Sequence, residues 1–474
     1  MKIFSVPRIR LGSPGLGLLL MALVVPGYSQ DFPASPPQDL PARPFHLPPI
    51  STSVLPNGLK VLVAQSRRVP LVTMRLAIPA GSIYDPASSP GLAAAVANQL
   101  TAGTAKYSSR ALREAAERLG GSISARAGAD FVTIQASALA ENLTPLLDLM
   151  AEVLLRPTFP SDELAVYKNL TIQRLSVQRQ DPSFLAEEQM DRMLYGSHPY
   201  GVTAPTPAAI QALTQEAIRD FWKTHYTPTG SVLVVTGDVD GARAMDAVRK
   251  ALGAWSGAAP VQALPPADLS PQGRRVLLVD RPASVQADII MGNRAIRRDD
   301  PDYYALAVAS AILGGSASSR LFLTVRERDG YAYDAHSSIS PQRLAGSFTE
   351  AAQVRTEVTV PAIQEMIRQT NLLRTEPVSP QELTAVKNYI KGRFVLQLVT
   401  QAGLADALLT QQIYNLPADY LTAYRDRIDA VTAADVQRVA RRYFDTDHFG
   451  VVVVGDGAKL RDALKTVGPV EDVH

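Results

Sequence analysis

The 474-residue sequence contains no cysteine, which excludes a disulfide framework, thiolate zinc sites, iron–sulfur clusters and a cysteine nucleophile in one step. Histidine is scarce. There are six, with no HxxxH or HxxH pair among them, so two metal-ligating histidines on one helix face are missing. Charge is sparse and balanced, 47 basic against 45 acidic residues without a Lys/Arg stripe, which argues against a phosphate-tracking groove and against nucleic acid as a partner. No GxSxG or Walker pattern occurs, which leaves no sequence mark of a nucleophile elbow or a phosphate loop. The one long apolar run, Leu16 to Val25, is shorter than the ~20 residues a bilayer span needs, so no membrane anchor is expected. What is present is an ordinary globular composition, 46% hydrophobic and 19% charged, on a chain long enough for more than one domain.

Lys2, Arg8 and Arg10 precede the apolar run, and Pro26, Gly27 and Ser29 follow it. This order predicts a secretory signal peptide over residues 1–29 and a periplasmic or secreted mature protein. Its removal would leave 44 basic and 45 acidic residues, so the basic tilt belongs to the leader. Residues 33–49 hold seven prolines, which predicts an extended arm over 30–50. Four more prolines over 256–273 predict a linker between a 51–255 domain and a 274–474 domain.

Equal halves prompt a search for a repeat, and one is present. TPTGSVLVVTGD (227–238) matches DTDHFGVVVVGD (445–456) at an offset of 218. Glu163-Leu164 with Lys168-Asn169 matches Glu382-Leu383 with Lys387-Asn388 at an offset of 219. Each half opens with two strand-like runs (59–63 and 71–78; 275–279 and 287–292), turns helical, and closes on a valine strand. One helix is marked by Ser109 as N-cap, by Leu112, Ala115, Ala116 and Leu119 at helical spacing, and by Gly120-Gly121 as its stop. The reading is α+β: two homologous sandwich domains, each a mostly antiparallel sheet with helices packed on one face.

The segments LPNGLKVLV (55–63), VPLVTMRLAIPAGSIYDP (69–86), GLAAAVANQLTAGT (91–104), LYGSHPYG (194–201) and ILGGSASSRLFLTVRERDGYAYD (312–334) together resemble the pitrilysin/insulinase family of zinc peptidases, in particular the branch of mitochondrial processing peptidase and its bacterial relatives. The family signature is HxxEH after Gly-Leu-Ala, two histidine ligands flanking a glutamate base. Here that helix reads Ala94-Ala95-Val96-Ala97-Asn98. A further glutamate ligand is implied near Arg174, or Gln173 if the alignment slips by one residue, and neither side chain suits zinc. The resemblance thus implies no metal and no cofactor in this chain.

In the resembling enzymes the half without zinc supplies an arginine and a tyrosine seven residues apart, which face the metal across a closed chamber. Arg326 and Tyr333 in VRERDGYAY match that pair in type and spacing. A guanidinium and a phenol aimed at a developing oxyanion stabilise the transition state of peptide hydrolysis. Each residue also has a bland role, an arginine facing a helix dipole before Gly330 and a packing tyrosine in a strand. His198 and His225 read as structural, and His336 as a surface residue near the same stretch.

The resemblance therefore implies the non-metal subunit of a heterodimeric zinc peptidase, with zinc held by a homologous HxxEH-containing partner subunit and peptides as substrates. The rival reading is a catalytically inactive structural or peptide-binding member of the same family, and a metal-free hydrolase on the same fold is a third.

Overall fold

The computed structural model describes residues 46–257 and 273–473. The signal peptide, most of the proline-rich arm and most of the linker lie outside the described residues. The first half runs β1 (Ile50–Val54), β2 (Lys60–Gln65), β3 (Leu71–Ile78), α1 (Leu92–Gln99), α2 (Ser109–Arg118), β4 (Ser122–Ala127), β5 (Val132–Leu139), α3 (Leu143–Leu155), α4 (Ser161–Gln178), α5 (Pro182–Tyr195), α6 (Pro207–Ala212), α7 (Gln215–His225), β6 (Val232–Gly237) and α8 (Gly241–Leu252). The second runs β7 (Arg275–Asp280), β8 (Gln286–Ala295), α9 (Tyr303–Gly314), a π-helical segment (Phe322–Arg328), β9 (Ala332–Pro341), β10 (Gly346–Arg355), α10 (Thr359–Thr375), α11 (Pro380–Val399), α12 (Gln401–Ile413), α13 (Tyr420–Ala430), α14 (Ala433–Tyr443), β11 (Gly450–Gly455), α15 (Gly457–Leu464) and β12 (Val470–Val473).

Two six-stranded sheets result, ordered β1-β2-β6-β3-β5-β4 and β12-β7-β11-β8-β10-β9. The repeat read from the valine strands is thereby the repeat of the fold. In each sheet the valine strand lies third, parallel to one neighbour and antiparallel to the other: Lys60 faces Val232 across β2/β6, and Arg275 faces Gly450 across β7/β11. Antiparallel pairs dominate, as expected. The outermost strand differs between the halves, since β1 comes first in the chain and runs antiparallel to β2, whereas β12 comes last and runs parallel to β7.

Every residue of β6 and β11 is buried. Strands with near-continuous apolar sequence are those covered on both faces, and the second cover is not foreseen by a sandwich with helices on one face only. Each half lends one helix to the other's sheet. α5 of the first half lies on β8 and β11, with Met190, Leu194 and Tyr195 clustered against Ile290, Val452 and Val454. α12 of the second half lies on β3 and β6, and Leu404, Ala405 and Leu408 share one core with Leu62, Ala77 and Val234.

Polar contacts fix the exchanged helices at their ends. The Gln401 amide donates to the carbonyls of Ser66 (3.3 Å) and Val69 (3.2 Å), the Thr236 hydroxyl donates to the Gln401 carbonyl (2.9 Å), and Arg75 Nε pairs with Asp406 (2.8 Å). Under α5 the chain approaches closely at Gly450, where a methyl group would displace the Met193 side chain. The Ser108 hydroxyl, one residue earlier than expected, caps α2 by accepting from the Ala111 amide at 3.3 Å. Gly120, at φ +69°, ends that helix. Among the described residues no helix is long and apolar enough to cross a membrane.

Candidate functional site

The chain from α9 to β9 builds the first candidate. Its π-helical segment stops at Gly330 (φ +62°), where the Gly330 amide donates to the Arg326 carbonyl and the Tyr331 amide to the Val325 carbonyl (3.1 and 2.9 Å). π-helical turns concentrate at functional sites. The reversal brings Tyr333, second residue of β9, over Arg326. The guanidinium carbon lies 4.9 Å from the Tyr333 ring centroid and 4.5 Å from that of Phe322, and Nε lies 3.2 Å from Glu327. The structure thus brings together the two residues that the family resemblance singled out. Tyr333 is 82% exposed, and its hydroxyl has no hydrogen-bond partner among the described residues.

The platform beneath the pair is well tied. Arg328 pairs with Asp329 (2.7 Å) and with Glu365 of α10 (2.9 Å), while Glu365 also accepts from Arg368 and Gln369. Although partial burial acts to raise it, these donors hold the Glu365 carboxyl at about 2. Arg320 donates two hydrogen bonds to Glu382 of α11 (2.8 and 2.9 Å), and a side chain at Gly314 would overlap the Ser337 backbone. Both residues are therefore structural.

His336 lies three residues past Tyr333 on β9, beyond the irregularity in pairing with β10 that falls between Ala332 and Ala335, and both side chains are exposed. His336 Nδ1 sits 2.9 Å from Asp334. His198 is buried, with Nδ1 accepting from the Tyr200 amide at 3.1 Å. His225 is buried against Tyr84 and Phe221, and that burial pushes its pKa below the usual imidazole range.

The second candidate is the helix layer of the first half. Ala94 and Asn98 lie on the exposed face of α1, and Gln173 and Arg174 on that of α4. A cleft of about 520 Å³ between α1, α2, α4 and the start of β4 is lined by Asn98 and Arg174 together. An alkyl group, an amide and a guanidinium do not fit zinc. Among the described residues no three His, Asp or Glu side chains are placed to hold a metal ion. α1 itself is held by Asp85, whose carboxylate accepts from the amides of Gly91 and Ala93 (both 2.7 Å). Burial nevertheless pushes the Asp85 pKa up to about 6.

One polar junction has no sequence mark beyond the LYGSHPYG segment. The Tyr200 hydroxyl donates to Asp130 (2.5 Å), whose other oxygen accepts from the Arg343 amide (3.3 Å). The β4–β5 and β9–β10 turns are thereby joined across the two halves.

The two repeated α+β halves thus differ in their helix layers, one with an open cleft and the other with a half-buried arginine beneath an exposed tyrosine. Residues 60–207 match the family model of the insulinases (peptidase family M16), and residues 212–390 match that of the peptidase M16 inactive domain. The chain belongs to peptidase family M16. It is similar to the uncharacterised zinc protease YmxG of Bacillus subtilis, 24% identical over 83% of this chain and 95% of that protein. Among solved structures it is similar to a peptidase M16 inactive domain from Pseudomonas fluorescens (TM-score 0.81, 26% identity, 86% of this chain and 98% of the other). A chain of complex III from Candida albicans shares the fold (TM-score 0.73, 18% identity, 88% of this chain and 98% of the other).

Proposed function

We propose that this chain is the non-metal subunit of a two-chain zinc peptidase, exported to the periplasm or beyond, whose homologous partner subunit carries HxxEH. The observation that carries the reading is the pairing of Arg326 with Tyr333: both lie on an anchored turn, and the phenol O–H is without a partner among the described residues. Attack of water on a scissile carbonyl turns its oxygen into an oxyanion, and a guanidinium and a phenol can both donate to it. Ala94, Asn98 and Arg174 leave this chain without zinc ligands, so it cleaves nothing alone. Substrates are unfolded peptides added as a strand to a sheet edge.

The second reading, an inactive structural or peptide-binding member, draws on the complex III chain of the same fold. Mixing separates the two. With its HxxEH partner the chain raises hydrolysis of an unstructured peptide well above that of the partner alone, while the chain by itself leaves the peptide intact. A stable complex no more active than the partner favours the structural reading.

A further inference from the structure

The cleft in the first half's helix layer contains more than missing ligands. Arg113 of α2 and Arg174 of α4 both line it. Neither makes a hydrogen bond or an ion pair with a carboxylate among the described residues. Their neighbours do: Arg110 pairs with Glu114 and Arg179 with Glu188. Two carboxylates share the cleft, Glu117 and Glu163. Glu163 stands in the first turn of α4, where helix amides already compensate its charge. Glu117 follows Arg113 by one turn on the same helix without an ion pair between them. This balance disfavours a polyanion and suits one negative charge.

Two further features define what carries that charge. Val166 and Leu170, one turn apart on α4 and both more than half exposed, line the same cleft and form an apolar seat beside Arg174. Ser122 and Ile123 of β4 border it, and β4 is an edge strand paired only with β5. Its open side offers main-chain donors and acceptors to another extended chain.

We propose that this cleft is a receptor for the C-terminal carboxylate of an extended peptide. Arg113 and Arg174 hold the carboxylate, Val166 and Leu170 seat the last side chain, and the peptide backbone lies toward β4. The inference does not rest on the subunit reading above, since capture is a property of this chain alone.

The test uses the full chain without a partner and an N-terminally labelled, unstructured heptapeptide ending in leucine, as free acid and as C-terminal amide, followed by fluorescence anisotropy. The acid binds at least tenfold more tightly than the amide. Arg113→Ala and Arg174→Ala each weaken the acid fivefold or more and leave the amide unchanged. Arg174→Lys restores part of the loss, and Arg118→Ala, outside the cleft, changes nothing. Circular dichroism confirms that each variant is folded. Equal binding of acid and amide, no binding of either at millimolar concentration, or acid binding unchanged in both alanine variants overturns the proposal. Displacement by decanoate but not by acetyl-leucine assigns the cleft to a fatty acid and overturns the peptide reading as well.

Discussion

Glu163 and Glu382 occupy the same place in the repeat, in the first turn of α4 and of α11. In the second half, Glu382 takes both hydrogen bonds of Arg320, which ties α11 to the segment leading into the π-helical turn. In the first half, Glu163 lines an open cleft. The helices before them differ in the same sense. α1 keeps Ala94 and Asn98 exposed, whereas α9 is buried along most of its length. One arrangement of five shared strands thus carries a helix layer that is open in one copy and stapled shut in the other, and the stapled copy presents the arginine–tyrosine pair. The two copies therefore differ in their helix-layer side chains while the five shared strands keep one arrangement.

The exchange of α5 and α12 joins the two copies, and breaking it has the largest expected effect. Leu408→Ala and Met190→Ala each remove a buried contact between one half's helix and the other half's sheet, and each costs about 2–5 kcal/mol in urea unfolding. Both variants unfold in a single transition, because neither sheet keeps its second cover alone. Two resolved transitions would show that the halves are independent.

The contrast between the glutamates sharpens next. Arg320→Ala removes a two-bond ion pair that is mostly shielded from water, at a cost of about 1.5–3 kcal/mol. Glu163→Gln stays within about 0.5 kcal/mol of the parent, since its cleft is open. Equal costs would remove the distinction between open and closed layers.

A smaller effect reports on the base of α1. Asp85 has its folded pKa raised from 3.8 to about 6, so the folded state binds the extra proton. This contribution to stability is complete below pH 3.8 and is lost as pH rises toward 6. Asp85→Asn does not titrate there. Its stability relative to the parent therefore rises by about 1–2 kcal/mol between pH 4 and pH 7, measured by urea titration at each pH. A difference independent of pH would mean that Asp85 is solvated in solution.

How much was legible in the sequence follows from which interactions are local. The valine strands ending in Gly-Asp were readable because β6 and β11 are central and buried on both faces. Arg326 and Tyr333 were picked out by resemblance to a family pair of the same types and spacing, and their proximity follows because a single turn joins them. The exchanged helices were not readable. α5 buries Met190 against Val452 and Val454, more than 250 residues away in the chain, and an amphipathic stripe does not say which sheet it will cover. The Arg320–Glu382 staple and the Asp130–Tyr200 junction were hidden for the same reason: each joins segments whose meeting is decided by topology. Ser108 rather than Ser109 caps α2, a choice between adjacent serines that only backbone geometry makes.

The central claim is that Arg326 and Tyr333 are retained for chemistry rather than packing. The most direct measurement is peptide hydrolysis by the chain assembled with the proposed HxxEH-containing partner, with Tyr333→Phe and Arg326→Ala compared against the parent at equal complex concentration. Because Tyr333 is exposed, Arg326 is only half-buried and their stacking contributes at most about 1 kcal/mol, both variants fold and assemble as the parent does. Loss of one oxyanion donor lowers kcat by about 10²–10³, some 3–4 kcal/mol. Two variants that assemble normally and hydrolyse at the parental rate would contradict the claim and leave the pair as surface packing.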